Sequence, residues 1–179
     1  TGAIQERSTF PRPADWHDGP EVEWGYIAKT GSHLIGSAVK PGSSYTDYWG
    51  GEFWYDQVDG PLTHKVCSDG LFAIDRTEGR TAWWYRRGMI LNGSITIGDG
   101  RLFFVESRHP ALAERETGRL GPPELWLDQS LVALDLATGQ VIWETPIDTI
   151  DGISMFNVAF GDGRLVLASS GDGKFHVYT

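Results

Sequence analysis

The feature that most constrains this chain is a 13-residue pattern that occurs twice. Residues 71–83 read Leu-Phe-Ala-Ile-Asp-Arg-Thr-Glu-Gly-Arg-Thr-Ala-Trp, and residues 131–143 read Leu-Val-Ala-Leu-Asp-Leu-Ala-Thr-Gly-Gln-Val-Ile-Trp. Ala73, Asp75, Gly79 and Trp83 return as Ala133, Asp135, Gly139 and Trp143, each 60 positions on. A second pattern follows each copy: Gly98-Asp-Gly-Arg-Leu102 and Gly161-Asp-Gly-Arg-Leu165, flanked on both sides by short apolar runs. Asp-Gly between two such runs is a hairpin signal, because the turn needs a positive φ that Gly adopts without penalty. A weaker copy runs from Gly25 to Ser37. A third copy of the first pattern begins at Gly171-Asp-Gly-Lys-Phe-His-Val-Tyr-Thr179, matching Ser68 to Asp75. Self-similarity at a fixed period means stacked copies of one supersecondary unit.

Each unit reads as four strands. In the first they fall near 24–30, 33–39, 70–75 and 80–86; in the second near 92–97, 101–106, 129–135 and 139–145. The third has strands near 154–160, 164–169 and 174–178 and lacks the fourth. Eight Trp and 23 Gly fit an all-β chain better than a helical one. Four-stranded antiparallel repeats arranged radially are propeller blades. The expected organisation is a lead-in segment at 1–23 and an incomplete β-propeller over 24–179. Its blades are 24–87 (insertion 40–69), 91–145 (insertion 107–128) and a partial blade 154–179, about two and a half to three in all. The chain begins at Thr1 and stops inside a strand-like run, so it is expected to be a portion of a longer protein.

Ala133, Asp135, Thr138, Gly139 and Trp143 fit A-x-D-x-x-T-G-x-x-x-W at every position; residues 73–83 fit with Glu78 in place of the Thr. This is the tryptophan-docking motif, and over residues 24–179 the chain resembles the PQQ-like (quinoprotein alcohol dehydrogenase-like) repeat proteins. The motif has a structural logic. Gly permits a tight turn. Asp accepts backbone N–H groups within that turn, and Thr does so more weakly. The flat Trp wedges between neighbouring blades and needs one partner for its indole N–H.

Formal net charge is −9, which speaks against a general nucleic-acid binder and against adsorption to anionic lipid. No run of 18 apolar residues marks a membrane span, and no signal peptide is visible. Cys67 is alone, so neither an internal disulfide nor a Cys-rich metal site can form. The resemblance implies an extracytoplasmic location.

Function is expected on the long connections. In propellers of the resembled type both insertions emerge on the face that holds the cofactor in quinoproteins, and loops of this length are uncommon unless functional. The first insertion carries Tyr45, Tyr48, Trp49, Phe53, Trp54 and Tyr55 interleaved with Asp47, Glu52 and Asp56. Such a surface can stack a sugar, quinone or polyol and bind its hydroxyls through carboxylates; equally, it can cover the blade ends with its own aromatic cluster. Asp47, Glu52 and Asp56 are hard oxygen donors for calcium, at a spacing that matches no EF-hand loop. The second insertion contains Glu106-Ser-Arg-His109, and its middle, Ala111 to Thr117, reads as a short helix. Ser94 and Asn157 occupy equivalent positions at the start of a first strand. There they either line the channel mouth or cap the strand ends. His17, His33, His64, His109 and His176 show no metal-ligand spacing, and no nucleophile elbow, P-loop or zinc motif is present. No residue is assigned a catalytic or metal-binding role.

Three functions are compatible with this reading. The leading one is a non-catalytic binding or scaffold module of a larger protein, as in PQQ-like repeat lipoproteins that bind partners without a quinone. Its partners would be the remaining blades of the propeller and a protein or small polar ligand. The first alternative is part of a PQQ- and calcium-dependent alcohol or sugar dehydrogenase, although the adjacent cysteine pair common in such enzymes is missing. The second alternative is a carbohydrate-binding propeller, carried by the aromatic loop. Incomplete closure leaves sheet edges and blade faces uncovered, so the isolated chain is expected to be marginally stable or to self-associate.

Overall fold

The computed structural model describes residues 21–43, 64–121, 123–149, 155–171 and 174–178. They are almost wholly β: three antiparallel sheets, 3-10 turns, and no α-helix among the described residues. The first sheet has four strands in simple sequence order: β1 (Glu23–Lys29), β2 (His33–Val39), β4 (Gly70–Asp75) and β5 (Thr81–Tyr85). The second contains β3 (Lys65–Ser68), β6 (Met89–Leu91), β7 (Thr96–Gly98), β8 (Arg101–Ser107), β9 (Arg119–Leu120), β10 (Gln129–Asp135) and β11 (Val141–Pro146). Its order is β11-β10-β8-β6-β3-β9, and β7 pairs with β8 beyond β6. The third sheet is β12 (Met155–Gly161), β13 (Arg164–Gly171) and β14 (Lys174–Tyr178).

The sequence patterns map directly onto local geometry. In both Gly-Asp-Gly turns the Asp and the following Gly are left-handed, with φ of 50° and 69° at Asp99 and Gly100, and 49° and 72° at Asp162 and Gly163. Two successive positive φ values define the tight hairpin turn whose twist matches the flanking strands. The Asp-to-Gly turns are equally alike. Asp75 Oδ1 accepts the N–H groups of Thr77 and Glu78 at 2.7 and 3.0 Å; Asp135 Oδ1 accepts those of Ala137 and Thr138 at 3.1 and 2.8 Å. Thr138 Oγ1 adds a third donor to Asp135 at 2.8 Å. Glu78, which replaces that Thr, pairs instead with Arg80. Ala73 stands opposite Trp83 and Ala133 opposite Trp143, and in both strand pairs the register shifts at the next residue.

The two tryptophans then part ways. Trp83 is 8% exposed, and its Nε1 donates to the Leu136 carbonyl of the second sheet at 3.1 Å. Its indole lies flat on Gly139, where an added Cβ would fall 2.6 Å from the ring. Trp143 is 36% exposed and borders a groove of about 560 Å³ between the second and third sheets, walled by Leu131, Leu165 and Leu167. Beside it Phe103 stacks on Phe160 at 5.3 Å, and Gly98 leaves the space that this ring fills.

The main core lies between the first and second sheets and includes Ile35, Leu71, Trp83, Tyr85, Ile90, Leu102, Phe104, Val132 and Leu134. Each fully buried large side chain there contributes about 1.5–3 kcal/mol relative to exposure. A second core joins Cys67, Met89, Leu91, Val105, Leu112, Leu120, Leu125 and Trp126 to Leu167 of the third sheet.

Three expectations require correction. The insertions at 40–69 and 107–128 are not simply loops. Their ends form β3 and β9, which pair with each other and extend the second sheet. Ala111 to Thr117 is not a helix: only Pro110–Leu112 forms a 3-10 turn, started by Pro110, and Arg119 then enters β9. The strand expected at 92–97 is not continuous: Asn92–Ser94 form a 3-10 turn that separates β6, which lies before it, from β7.

Candidate functional site

The alternation of β8 builds the site. Leu102 and Phe104 face the first sheet, and Glu106 continues that face with a carboxylate in place of a hydrocarbon. Glu106 is fully buried, so its charge must be met by donors. Tyr85 Oη donates to Glu106 Oε1 at 2.8 Å across the seam between the sheets, and Arg108 Nε donates to the same oxygen at 2.7 Å. Glu106 Oε2 has no partner among the described residues. Arg108 then reaches outward. Its Nη1 and Nη2 donate to Glu144 Oε1 and Oε2 at 3.1 and 2.9 Å, the planar two-bond fork that guanidinium and carboxylate form. Arg87 Nη1 donates to Glu144 Oε2 at 3.0 Å. The chain Tyr85–Glu106–Arg108–Glu144–Arg87 therefore crosses the seam twice, from a buried carboxylate to an exposed one.

These contacts fix protonation states. Burial, and then the Glu106 carboxylate, push the Tyr85 hydroxyl upward, so it remains a neutral donor. The hydrogen bond to Glu144 leads the effects that hold Arg108 charged. Arg108, followed by Arg87, keeps the Glu144 carboxyl below its ordinary range.

Above this network lies an open cleft of about 470 Å³. Three connections converge on it: the β5–β6 link with Arg86, Arg87, Gly88 and Met89; Asp69 at the end of the first insertion; and Ser107 to Ala113 at the start of the second. Asp69 sits 3.7 Å from Lys40. Burial raises its carboxyl, and Lys40 and Arg86 oppose that rise. His109 Nδ1 accepts the Ala111 N–H at 3.4 Å, which leaves the ring proton on Nε2.

A second polar cluster is wholly internal. Ser68 Oγ donates to Asn92 Oδ1 at 2.5 Å and is hydrogen-bonded to Ser37 Oγ at 2.8 Å, and Ser37 Oγ accepts the Tyr26 N–H at 2.7 Å. Ser94 is fully buried beside it. Its hydroxyl donates to the Leu91 carbonyl at 2.7 Å and accepts the Val105 N–H at 2.8 Å, bridging the break between β6 and β7. Asn157 is exposed on β12, the strand packed beside the Asn92–Ser94 turn.

Tyr45, Tyr48, Trp49, Glu52, Trp54 and Tyr55 lie outside the described residues, as do Asp47, Phe53 and Asp56. The cleft joins residues that the sequence reading did not bring together. Glu106, Arg108 and His109 stood out as a group, but Asp69, Tyr85, Arg86, Arg87 and Glu144 did not. One signal was available: Glu106 and Glu144 each follow directly on an apolar run, Leu102 to Val105 and Val141 to Trp143. Among the described residues no group of three or more His, Cys, Asp or Glu is placed to hold a metal ion. No helix of the described residues is long and apolar enough to cross a membrane. A scan against protein-family models finds no match, and a search of the curated proteins finds none either.

Proposed function

We propose that this chain is part of a β-propeller of the PQQ-like repeat kind, serving as a non-catalytic binding or scaffold module of a larger protein. Support for the propeller comes from the contact of Trp83 with the Asp135–Gly139 turn, which is what a tryptophan-docking motif is for. The observation that carries the binding reading is the electrostatic state of the cleft. Two of its arginines, Arg87 and Arg108, hold the neighbouring Glu144 carboxylate ionised. A general base needs a proton affinity near the working pH, and this environment moves Glu144 the opposite way. Paired charges around an open cleft at a junction of three connections suit recognition. They offer fixed donors and acceptors to a polar ligand or to a partner's surface.

The test is a titration with PQQ and calcium, following quinone absorbance and Trp fluorescence, then dye reduction with alcohols and sugars. The expected result is no saturable quinone binding and no turnover. Binding near one equivalent followed by dye reduction would make the protein a quinoprotein dehydrogenase and end the scaffold reading.

A further inference from the structure

We propose that the cleft bounded by Asp69, Arg86, Arg87, Arg108 and His109 binds a small organic carboxylate. The proposal rests on the binding-module reading and specifies its ligand. In a chain of net charge −9, three arginines line one cleft. Two of them already hold a carboxylate, that of Glu144 beside the cleft. Arg108 grips both oxygens of Glu144, and Arg87 binds one of them. Among the described residues Arg87 commits only Nη1, so its Nε and Nη2 remain for a second carboxylate. Glu144 belongs to β11, the outer strand of its sheet, and is partly exposed, so a ligand acid in the cleft competes with it for the guanidiniums of Arg87 and Arg108. His109, next to Arg108 in the chain, lines the same cleft, and with Nδ1 accepting from Ala111 its Nε2–H is a further donor. A volume of about 470 Å³ is that of a small-molecule site. The fork geometry of guanidinium favours the planar carboxylate, which it binds through two parallel bonds.

Calorimetric titration of the full chain with citrate, and separately with inorganic phosphate, tests this. Citrate should bind saturably and more tightly than phosphate. Arg87→Met should weaken citrate binding roughly tenfold, the effect of one lost charge-assisted hydrogen bond. Glu144→Gln should strengthen it by releasing both guanidiniums. Should Arg87→Met fail to fold, Arg87→Lys keeps the charge but loses the fork, and it should also bind citrate more weakly. Absence of citrate binding, phosphate binding as tight as citrate, or affinity unchanged in every variant would overturn the proposal. Quinone binding with dye reduction is a separate readout. A negative citrate result therefore leaves the scaffold reading standing, and a positive quinone result removes that reading by itself.

Discussion

The Cβ that Gly139 lacks would lie 2.6 Å from the indole ring of Trp83, while the same atom at Gly79, in the equivalent turn of the first sheet, would meet nothing within 4 Å. Both glycines have nearly the same left-handed φ, 70° and 67°. The pair therefore separates two reasons for glycine that usually travel together: backbone conformation and close approach of a neighbour.

Gly79→Ala is expected to cost about 1–2 kcal/mol, the penalty of a positive φ with a side chain. Gly139→Ala carries that penalty and also displaces Trp83, adding about 1–3 kcal/mol of overpacking. Urea denaturation of the two variants measures the difference. Equal destabilisation would mean that the indole-on-glycine contact does not hold the two sheets together.

The two motif tryptophans should differ in the same sense. Trp83 is enclosed and hydrogen-bonded, so Trp83→Ala falls in the range of about 3–5 kcal/mol seen for buried aromatics. Trp143 is one-third exposed and faces an open groove, so Trp143→Ala should cost clearly less. Thermal melts of both variants settle the order. A larger loss at Trp143 would show that its face is covered in solution.

How far the sequence reveals this molecule depends on the range of the interaction. The strands at His33–Val39, Gly70–Asp75, Arg101–Ser107 and Gln129–Asp135 follow from short apolar runs bounded by turn residues, which act over a few positions. The Asp-Gly hairpins and the Asp75 and Asp135 turns are local for the same reason. The break between β6 and β7 does carry a local signal, the polar Asn92-Gly93-Ser94 between two apolar runs, but the bridge that Ser94 makes from Leu91 to Val105 is set by packing. β3 and β9 were hidden as well: each is short and reaches its partner across a long connection, so neither carries a periodicity of its own. The charged cleft was the hardest to see. Tyr85, Glu106 and Glu144 are brought together only by the packing of two sheets, and no spacing in the chain announces that contact.

Acid should weaken the turn at Asp135. Hydrogen bonds from the Thr138 hydroxyl and N–H, and then from Ala137 N–H, hold its carboxyl below the ordinary value. A carboxyl whose native pKa is depressed contributes stability that is complete above its unfolded value, ~3.9, and is lost as pH falls through the lower native one. Asp135→Asn removes the titration but keeps an acceptor. The melting temperatures of the variant and the parent should therefore differ at pH 7 and converge near pH 2, measured by circular dichroism. A gap that persisted at low pH would assign the effect to packing.

The seam between the first two sheets supplies the last prediction, because the same short path carries both structure and charge. Tyr85 Oη and Glu106 Oε1 are 2.8 Å apart in a region closed to solvent. A hydrogen bond to a buried charged group contributes about 1.5–3 kcal/mol, and removing one partner also strands the other. Tyr85→Phe leaves Glu106 with Arg108 as its one remaining donor among the described residues and should destabilise by that amount. Glu106→Gln keeps an oxygen for Tyr85 but removes the charge that Arg108 meets, so it should cost at least as much. The double variant should lose less than the sum of the two, with a coupling of about 1 kcal/mol or more, as found for residues in direct contact. Urea denaturation of the four proteins gives the coupling. A value near zero would mean that the Tyr85–Glu106 bond forms no part of what joins the two sheets.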